Sequence, residues 1–177
     1  MAGGAVYLLS GYDEESGQTT EWISTEGPST WSQGPRLPYP VGPGSCSVSP
    51  SPTTIIITGG YYGLNKVSRL DVTTGTWAGL PDLPKGRYYH GCAVVNQFLV
   101  VAAGLDESYI DLSSTYILDL DTMKWSRGGE MNQARIGPQM VVLEGGRILV
   151  LGGFNGDGVL STIEAVSYTH LTLPTKA

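Results

Sequence analysis

The sequence predicts an all-β fold of small, repeated antiparallel sheets, and three observations carry that prediction. Apolar runs are only four to six residues long, separated by turns rich in glycine, proline and threonine, with no helical period. Runs punctuated in this way read as short strands. Glycine pairs or their near equivalents fall at Ser10-Gly11, Gly59-Gly60, Ala103-Gly104 and Gly152-Gly153, which are 49, 44 and 49 residues apart. Trp31, Trp77 and Trp125 lie 46 and 48 residues apart, so two independent markers share one period. Composition agrees. With 25 Gly, 11 Pro and 15% charged residues in 177, the chain is too rich in turn formers for a helical protein.

At its start the chain is already inside a repeat. Residues 2–11 match 144–153 position for position, a glycine turn followed by a strand-like apolar run. Met1 is therefore expected not to be the native N-terminus. The stretch 55–95 holds one whole unit. It opens with the apolar run 55–58, closed by Gly59-Gly60, where glycine permits positive φ and close backbone packing. A second strand is expected over 67–72. Asp71 stands six residues before Trp77, as Asp119 does before Trp125. Leu37, Leu83 and Met131 each stand six residues after a tryptophan. That fixed register predicts tryptophans packed between neighbouring sheets rather than a sugar-stacking platform. Arg87-Tyr88-Tyr89-His90-Gly91 then leads into an apolar strand over 92–95. Further on, 160–165 aligns with 64–69, but the aspartate and tryptophan due at 167 and 173 are Ser167 and Leu173. The segment from Val166 reads as a translated transposase sequencing adaptor, so 166–177 is expected to be a non-native tail. A divergent native strand is the other reading.

Charge and chemistry exclude several functions. Net charge is −6 with no cluster of Lys and Arg, which argues against nucleic acid. No apolar run approaches the ~20 residues of a membrane-spanning helix, so no membrane partner is expected. The first residues lack a signal-peptide pattern. His90 stands alone once His170 is set aside with the tail, and no Ser or Cys forms a triad signature with it. No catalysis, metal or cofactor is expected. The glycine pairs open no helix and precede no Lys-Ser/Thr, so they are not phosphate loops. Cys46 and Cys92 are 46 residues apart at equivalent positions. They read either as buried apolar residues or as a disulfide between neighbouring sheets. The compartment stays undecided, with the cytoplasm slightly favoured over secretion.

A hydrophobic run ending in Gly-Gly, then an aromatic residue or Trp 17 to 21 residues on, at a period near 50, resembles the kelch repeat. The resemblance covers 2–165 and is best over 55–95. It implies a β-propeller of four-stranded antiparallel blades. Innermost strands would be 45–49, 92–95 and 140–143, and second strands 6–9, 55–58, 98–102 and 148–151. Third strands would lie near 67–72 and 115–120, with outer strands carrying each Trp. The implied architecture is a partial, open propeller of about three and a half blades: a partial blade 1–40, blades 41–86 and 87–134, and a partial blade 135–165. Ser10 and Ala103 depart from the glycine pair, Val41 stands where Arg87 and Arg135 stand, and Arg69-Leu70 lacks the aromatic before Asp71. Propellers usually close with four to eight blades, so a fragment of a larger ring is expected, with exposed edges and poor solubility.

In such a fold the loops after the glycine pairs gather on one face. Residues 61–65 are short and aromatic, 106–111 acidic, and 154–158 small and flexible. The candidate partner-binding residues are Tyr61, Tyr62, Asn65, Arg87, Tyr88, Tyr89, Asp106, Tyr109, Arg135 and Asn155. Solvated turns are the plainer alternative. Arg87 and Arg135 read first as clamps on neighbouring carbonyls, and second as grips for an acidic partner. The resemblance implies a non-catalytic module that binds a protein or peptide. Its rival is a piece of a secreted or carbohydrate-active kelch-propeller enzyme whose catalytic residues lie elsewhere. A copper-radical oxidase of that type would need several His and Tyr ligands, which this sequence does not show.

Overall fold

A computed structural model describes residues 5–9, 20–24 and 30–166. The chain divides into two compact units, Met1–Tyr89 and His90–Ala177. In the first unit β1 (Ala5–Leu9), β2 (Thr20–Ser24) and β3 (Ser32–Gln33) pair in chain order. A four-stranded sheet follows, again in chain order: β4 (Cys46–Ser51), β5 (Thr54–Thr58), β6 (Val67–Asp71) and β7 (Thr76–Gly79). The second unit repeats it with β8 (Gly91–Val95), β9 (Phe98–Ala102), β10 (Thr115–Asp119) and β11 (Lys124–Arg127). Then come β12 (Gln139–Val142), β13 (Ile148–Leu151), the hairpin β14 (Phe154–Asn155) and β15 (Gly158–Val159), and β16 (Ile163–Val166). Strands β12, β13 and β16 form a three-stranded sheet. Every named pairing is antiparallel. Among the described residues the helical content is one 3-10 turn, Glu144–Gly146. The fold is all-β, and its four-stranded antiparallel sheets are of the kind that form propeller blades.

The repeated residues acquire physical reasons. Asp71 ends β6, and its carboxylate accepts bonds from the Thr73 amide at 2.9 Å and the Thr73 hydroxyl at 2.5 Å. Asp119 ends β10 and accepts from the amides of Asp121 at 2.9 Å and Thr122 at 3.2 Å. Each aspartate thus closes the turn into the outer strand. The Thr73 hydroxyl, then its amide, hold the Asp71 carboxyl below its ordinary range, and the Asp121 amide does the same for Asp119. The apolar residue six beyond each tryptophan is a buried plug: Leu37, Leu83 and Met131 are all inside. Trp77 packs on the cluster of Leu37, Val41 and Ile57, and its indole Nε1 donates to the Pro35 carbonyl at 3.4 Å. Trp31, beside the two-residue β3, is half exposed, so shared register does not bring shared burial.

In the second unit, Ala93 and Val100 from the β8–β9 pair, Ile117 from β10, and Ile148 and Val150 from β13 form one core with Met131. Burying each large aliphatic side chain stabilises the unit by about 1.5–3 kcal/mol. Strand β9 is buried along nearly its whole length, which is why its sequence is a continuous apolar run rather than an alternating one.

The glycine pairs act through backbone geometry. Gly60 has φ +102° and Gly153 φ +89°. A Cβ on Gly60 would lie 2.4 Å from the Val41 carbonyl oxygen, and one on Gly153 2.7 Å from that of Ile136. The Gly60 amide donates to Arg87 O at 3.1 Å and the Gly104 amide to Arg135 O at 2.8 Å.

Two features differ from the expected detail. The segment read as a flexible loop over 154–158 forms the hairpin β14–β15, with Phe154 opposite Val159 and Asn155 opposite Gly158. Val166 pairs with Ile148 and is buried, while 167–177 lies outside the described residues. Neither Cys46 nor Cys92 is a free thiol.

Candidate functional site

In the first unit a backbone platform at 41–44 receives the loop that follows Gly59-Gly60. The Tyr61 amide donates to Pro43 O at 3.0 Å, and the Tyr62 amide to Val41 O at 3.1 Å. Tyr89 joins the same platform, its amide donating to Gly44 O at 2.6 Å. A Cβ on Gly44 would meet the Tyr89 amide nitrogen at 2.6 Å, so only glycine lets the two segments approach this closely. These bonds gather four tyrosines. Tyr61 and Tyr62 meet edge to face at 5.2 Å between ring centroids, Tyr61 and Tyr88 at 5.4 Å, and Tyr88 and Tyr89 tilted at 5.3 Å.

Within that cluster the roles separate. Tyr88 is buried and serves as the base on which the others rest. Tyr61, Tyr62 and Tyr89 are 41%, 57% and 43% exposed. Asn65 is exposed at the end of the loop and donates to Asp82 at 3.3 Å, beside the Lys66–Asp82 pair at 2.7 Å. Tyr89 sits at φ +51°, a left-handed conformation that costs a bulky residue on the order of 1 kcal/mol. The residue at its register in the next repeat is Gly137, also left-handed at φ +62°. The preceding repeat carries Pro43 at that register, so not every repeat adopts the left-handed turn.

Arg87 and Arg135 are fully buried. The Arg87 Nε donates to Lys85 O at 3.3 Å. Arg135 donates through Nη1 to Gly152 O at 2.9 Å and Thr162 O at 3.0 Å. Its Nη2 reaches Thr162 Oγ1 at 2.9 Å and Glu164 Oε1 at 2.5 Å. Glu164 also accepts from the amides of Asn132 at 2.6 Å and Gln133 at 3.2 Å. Desolvation pushes the Glu164 carboxyl up, but the Arg135 hydrogen bond, the two amides and the Arg135 charge outweigh it and hold it below its ordinary value. Both side chains lie within the fold.

In the second unit Asp106 is likewise buried. Its Oδ1 accepts from the amides of Ser108 at 2.9 Å and Ile110 at 3.0 Å. The turn it organises lifts Tyr109, at φ +60°, and Ile110 into solvent at 66% and 58% exposure. Asp111 closes the loop by bridging back to Leu105, and its Oδ2 accepts from the Gly156 amide at 3.1 Å. The 105–111 loop and the β14–β15 hairpin are thereby tied together. Asn155 spends its side chain on structure, donating to Ala134 O at 3.3 Å and accepting from the Asp157 amide at 2.9 Å. Phe154, Val159 and Ile110 are exposed apolar residues of this surface that the sequence reading did not single out. The signal available for them was an apolar side chain in a glycine- and aspartate-rich loop, where no core needs it.

Among the described residues no three His, Cys, Asp or Glu side chains are grouped to hold a metal ion, and no helix is long and apolar enough to cross a membrane. The side chains exposed on these loops are chiefly tyrosines, Ile110, Phe154 and carboxylates.

Comparison with known proteins gives the repeat its relatives. Residues 86–132 match the Kelch motif family model. The chain is similar to a kelch repeat and BTB domain-containing protein of Caenorhabditis elegans, 38% identical over 92 residues, covering 49% of this chain and 16% of that protein. It is similar to acyl-CoA-binding domain-containing protein 4 of Arabidopsis thaliana, 30% identical over 135 residues, covering 70% of this chain and 20% of that protein. Adagio protein 3 of the same plant is 31% identical over 108 residues, covering 56% of this chain and 17% of its own length. The chain thus spans a fifth or less of each of these relatives.

Proposed function

We propose that this chain, which matches the Kelch motif over 86–132, acts as a non-catalytic protein-binding module, recognising a protein or peptide through the loops that follow its glycine pairs. The observation that carries the reading is Tyr89. It holds a strained backbone conformation where the next repeat places glycine, and its ring completes an exposed cluster with Tyr61 and Tyr62. A bulky side chain kept at a strained backbone position points to use. Tyrosine suits that use, because it offers a large amphipathic face at little conformational entropy. The backbone bonds to 41–44 pre-organise the cluster, which lowers the cost of binding. A relative whose name joins kelch repeats to a BTB domain supports a recognition role inside a longer protein.

Tyr89→Gly separates function from folding. It relieves the left-handed strain and adds chain entropy to the unfolded state, two effects of about 1 kcal/mol that oppose each other. Its melting temperature should stay within about 3 °C of the parent chain. Peptides selected by phage display on the immobilised parent chain should bind Tyr89→Gly and Tyr62→Ala at least roughly tenfold more weakly, the loss expected for an aromatic anchor. Undiminished binding by both of these variants and by Tyr109→Asn in the second unit would refute the module reading.

A further inference from the structure

The second unit presents a surface of different character from the tyrosine cluster. Tyr109, Ile110 and Phe154 stand exposed on two loops joined by the Asp111–Gly156 hydrogen bond, and Val159 on β15 is 92% exposed. Exposed apolar residues gathered on two tied loops and rimmed by polar groups mark an interaction site. Its rim has one sign. Glu107 and Asp157 are exposed, and Asp111 is half-buried between the loops. The described cations of this unit are Lys124, Arg127, Arg135 and Arg147, and none lies in either loop. Arg127 is paired with Glu130 beyond β11, Arg135 is buried against Glu164, and Arg147 lies in the turn at the other end of β13. The carboxylates of the rim therefore have no neutralising side chain on their own loops.

We infer that this loop pair takes a cationic, apolar peptide, an arginine- or lysine-bearing segment with aliphatic neighbours. The inference rests on the binding-module reading and names the partner's chemistry at one of its surfaces. Aromatic faces attract a guanidinium or ammonium group while accepting its aliphatic stem, and the acidic rim meets the charge. A carboxylate-rich partner is repelled at the same place. Complementary charge also speeds encounter, and the chain's net charge of −6 adds to that steering.

The test uses the whole chain and three fluorescein-labelled dodecapeptides, each with eight residues of Leu, Val and Gly and four of Arg, Gln or Glu, read by fluorescence anisotropy. The Arg peptide should bind at least roughly tenfold more tightly than the Gln peptide, with the Glu peptide weakest. The double variant Tyr109→Asn/Phe154→Ala should lose roughly tenfold in affinity for it, since asparagine keeps the left-handed turn while the aromatic faces are gone. Glu107→Gln/Asp157→Asn should lose severalfold and flatten the salt dependence. Thr76→Ala, on β7 of the first unit and in none of the candidate loops, should change nothing. Equal binding of the three peptides, or an Arg peptide indifferent to Tyr109→Asn/Phe154→Ala, overturns the inference. If display-selected peptides still need the loop tyrosines, the module reading stands and only the cationic class falls. If they do not, both fall.

Discussion

Arg135→Ala should be among the most damaging single substitutions in the second unit, costing roughly 3 kcal/mol in urea denaturation. Arg135 is fully buried, its guanidinium ties the Gly152 and Thr162 carbonyls at the end of β13 and the start of β16, and its removal leaves the Glu164 carboxylate, 11% exposed, without its cation. The solvent-exposed Arg127–Glu130 pair is the control, and Arg127→Ala should cost under about 1 kcal/mol. The pair also sets a pH dependence. The folded Glu164 carboxyl lies below the ordinary glutamate value of 4.5, so on acidification the unfolded chain takes up its proton first. The stabilisation is therefore complete above pH 4.5 and is lost as pH falls through the depressed folded value. Glu164→Gln should start less stable at pH 7 and show a shallower acid limb. The remaining slope comes from other depressed carboxyls, including Asp71 and Asp119. Parallel acid limbs for Glu164→Gln and the parent chain would rule out this role.

The glycine pairs should divide into an indispensable member and a replaceable one. At Gly60 and Gly153 a methyl group meets a backbone carbonyl oxygen at 2.4 and 2.7 Å, and neither oxygen can move without breaking the turn. Left-handed strain and overpacking together put Gly60→Ala and Gly153→Ala at roughly 3 kcal/mol or more each. At Gly152, φ +58°, the nearest atom to a new Cβ is Leu160 O at 3.4 Å, ordinary contact. Ala103 already occupies that register at φ +69° in the preceding repeat. Gly152→Ala should therefore cost only about 1–2 kcal/mol. Thermal melts of the three variants check the order, and equal losses would mean that the close carbonyl approach has no energetic weight.

The strands and their order were legible because each apolar run ends at a glycine pair, and the pair recurs with the tryptophans. The Asp–Trp–Leu spacing was visible in sequence, but its causes were not: a carboxylate closing a turn and an apolar plug under the sheet. What escaped is decided by dihedrals and distant partners. Tyr88 and Tyr89 are indistinguishable in a sequence, yet a left-handed φ at Tyr89 sends one ring inward and the next outward. Arg135 reads in the sequence first as a clamp on carbonyls, but nothing there points to Glu164, 29 residues on, which β16 brings to it. Asp106 and Asn155 look like recognition residues, but Asp106 satisfies amides of its own loop, and Asn155 the Asp157 amide and the distant Ala134 carbonyl. The hairpin β14–β15 has two-residue strands around glycines, too short for any period to show.

The central claim is that recognition belongs to the loops at the glycine-pair ends of the sheets. Hydrogen–deuterium exchange of the chain with and without a display-selected peptide tests it directly. Slowed exchange should appear at 61–65 and 88–89, at 105–111 and 154–159, or at both. Slowing confined to the opposite turns, at 52–53, 73–75, 96–97 and 121–123, would contradict it.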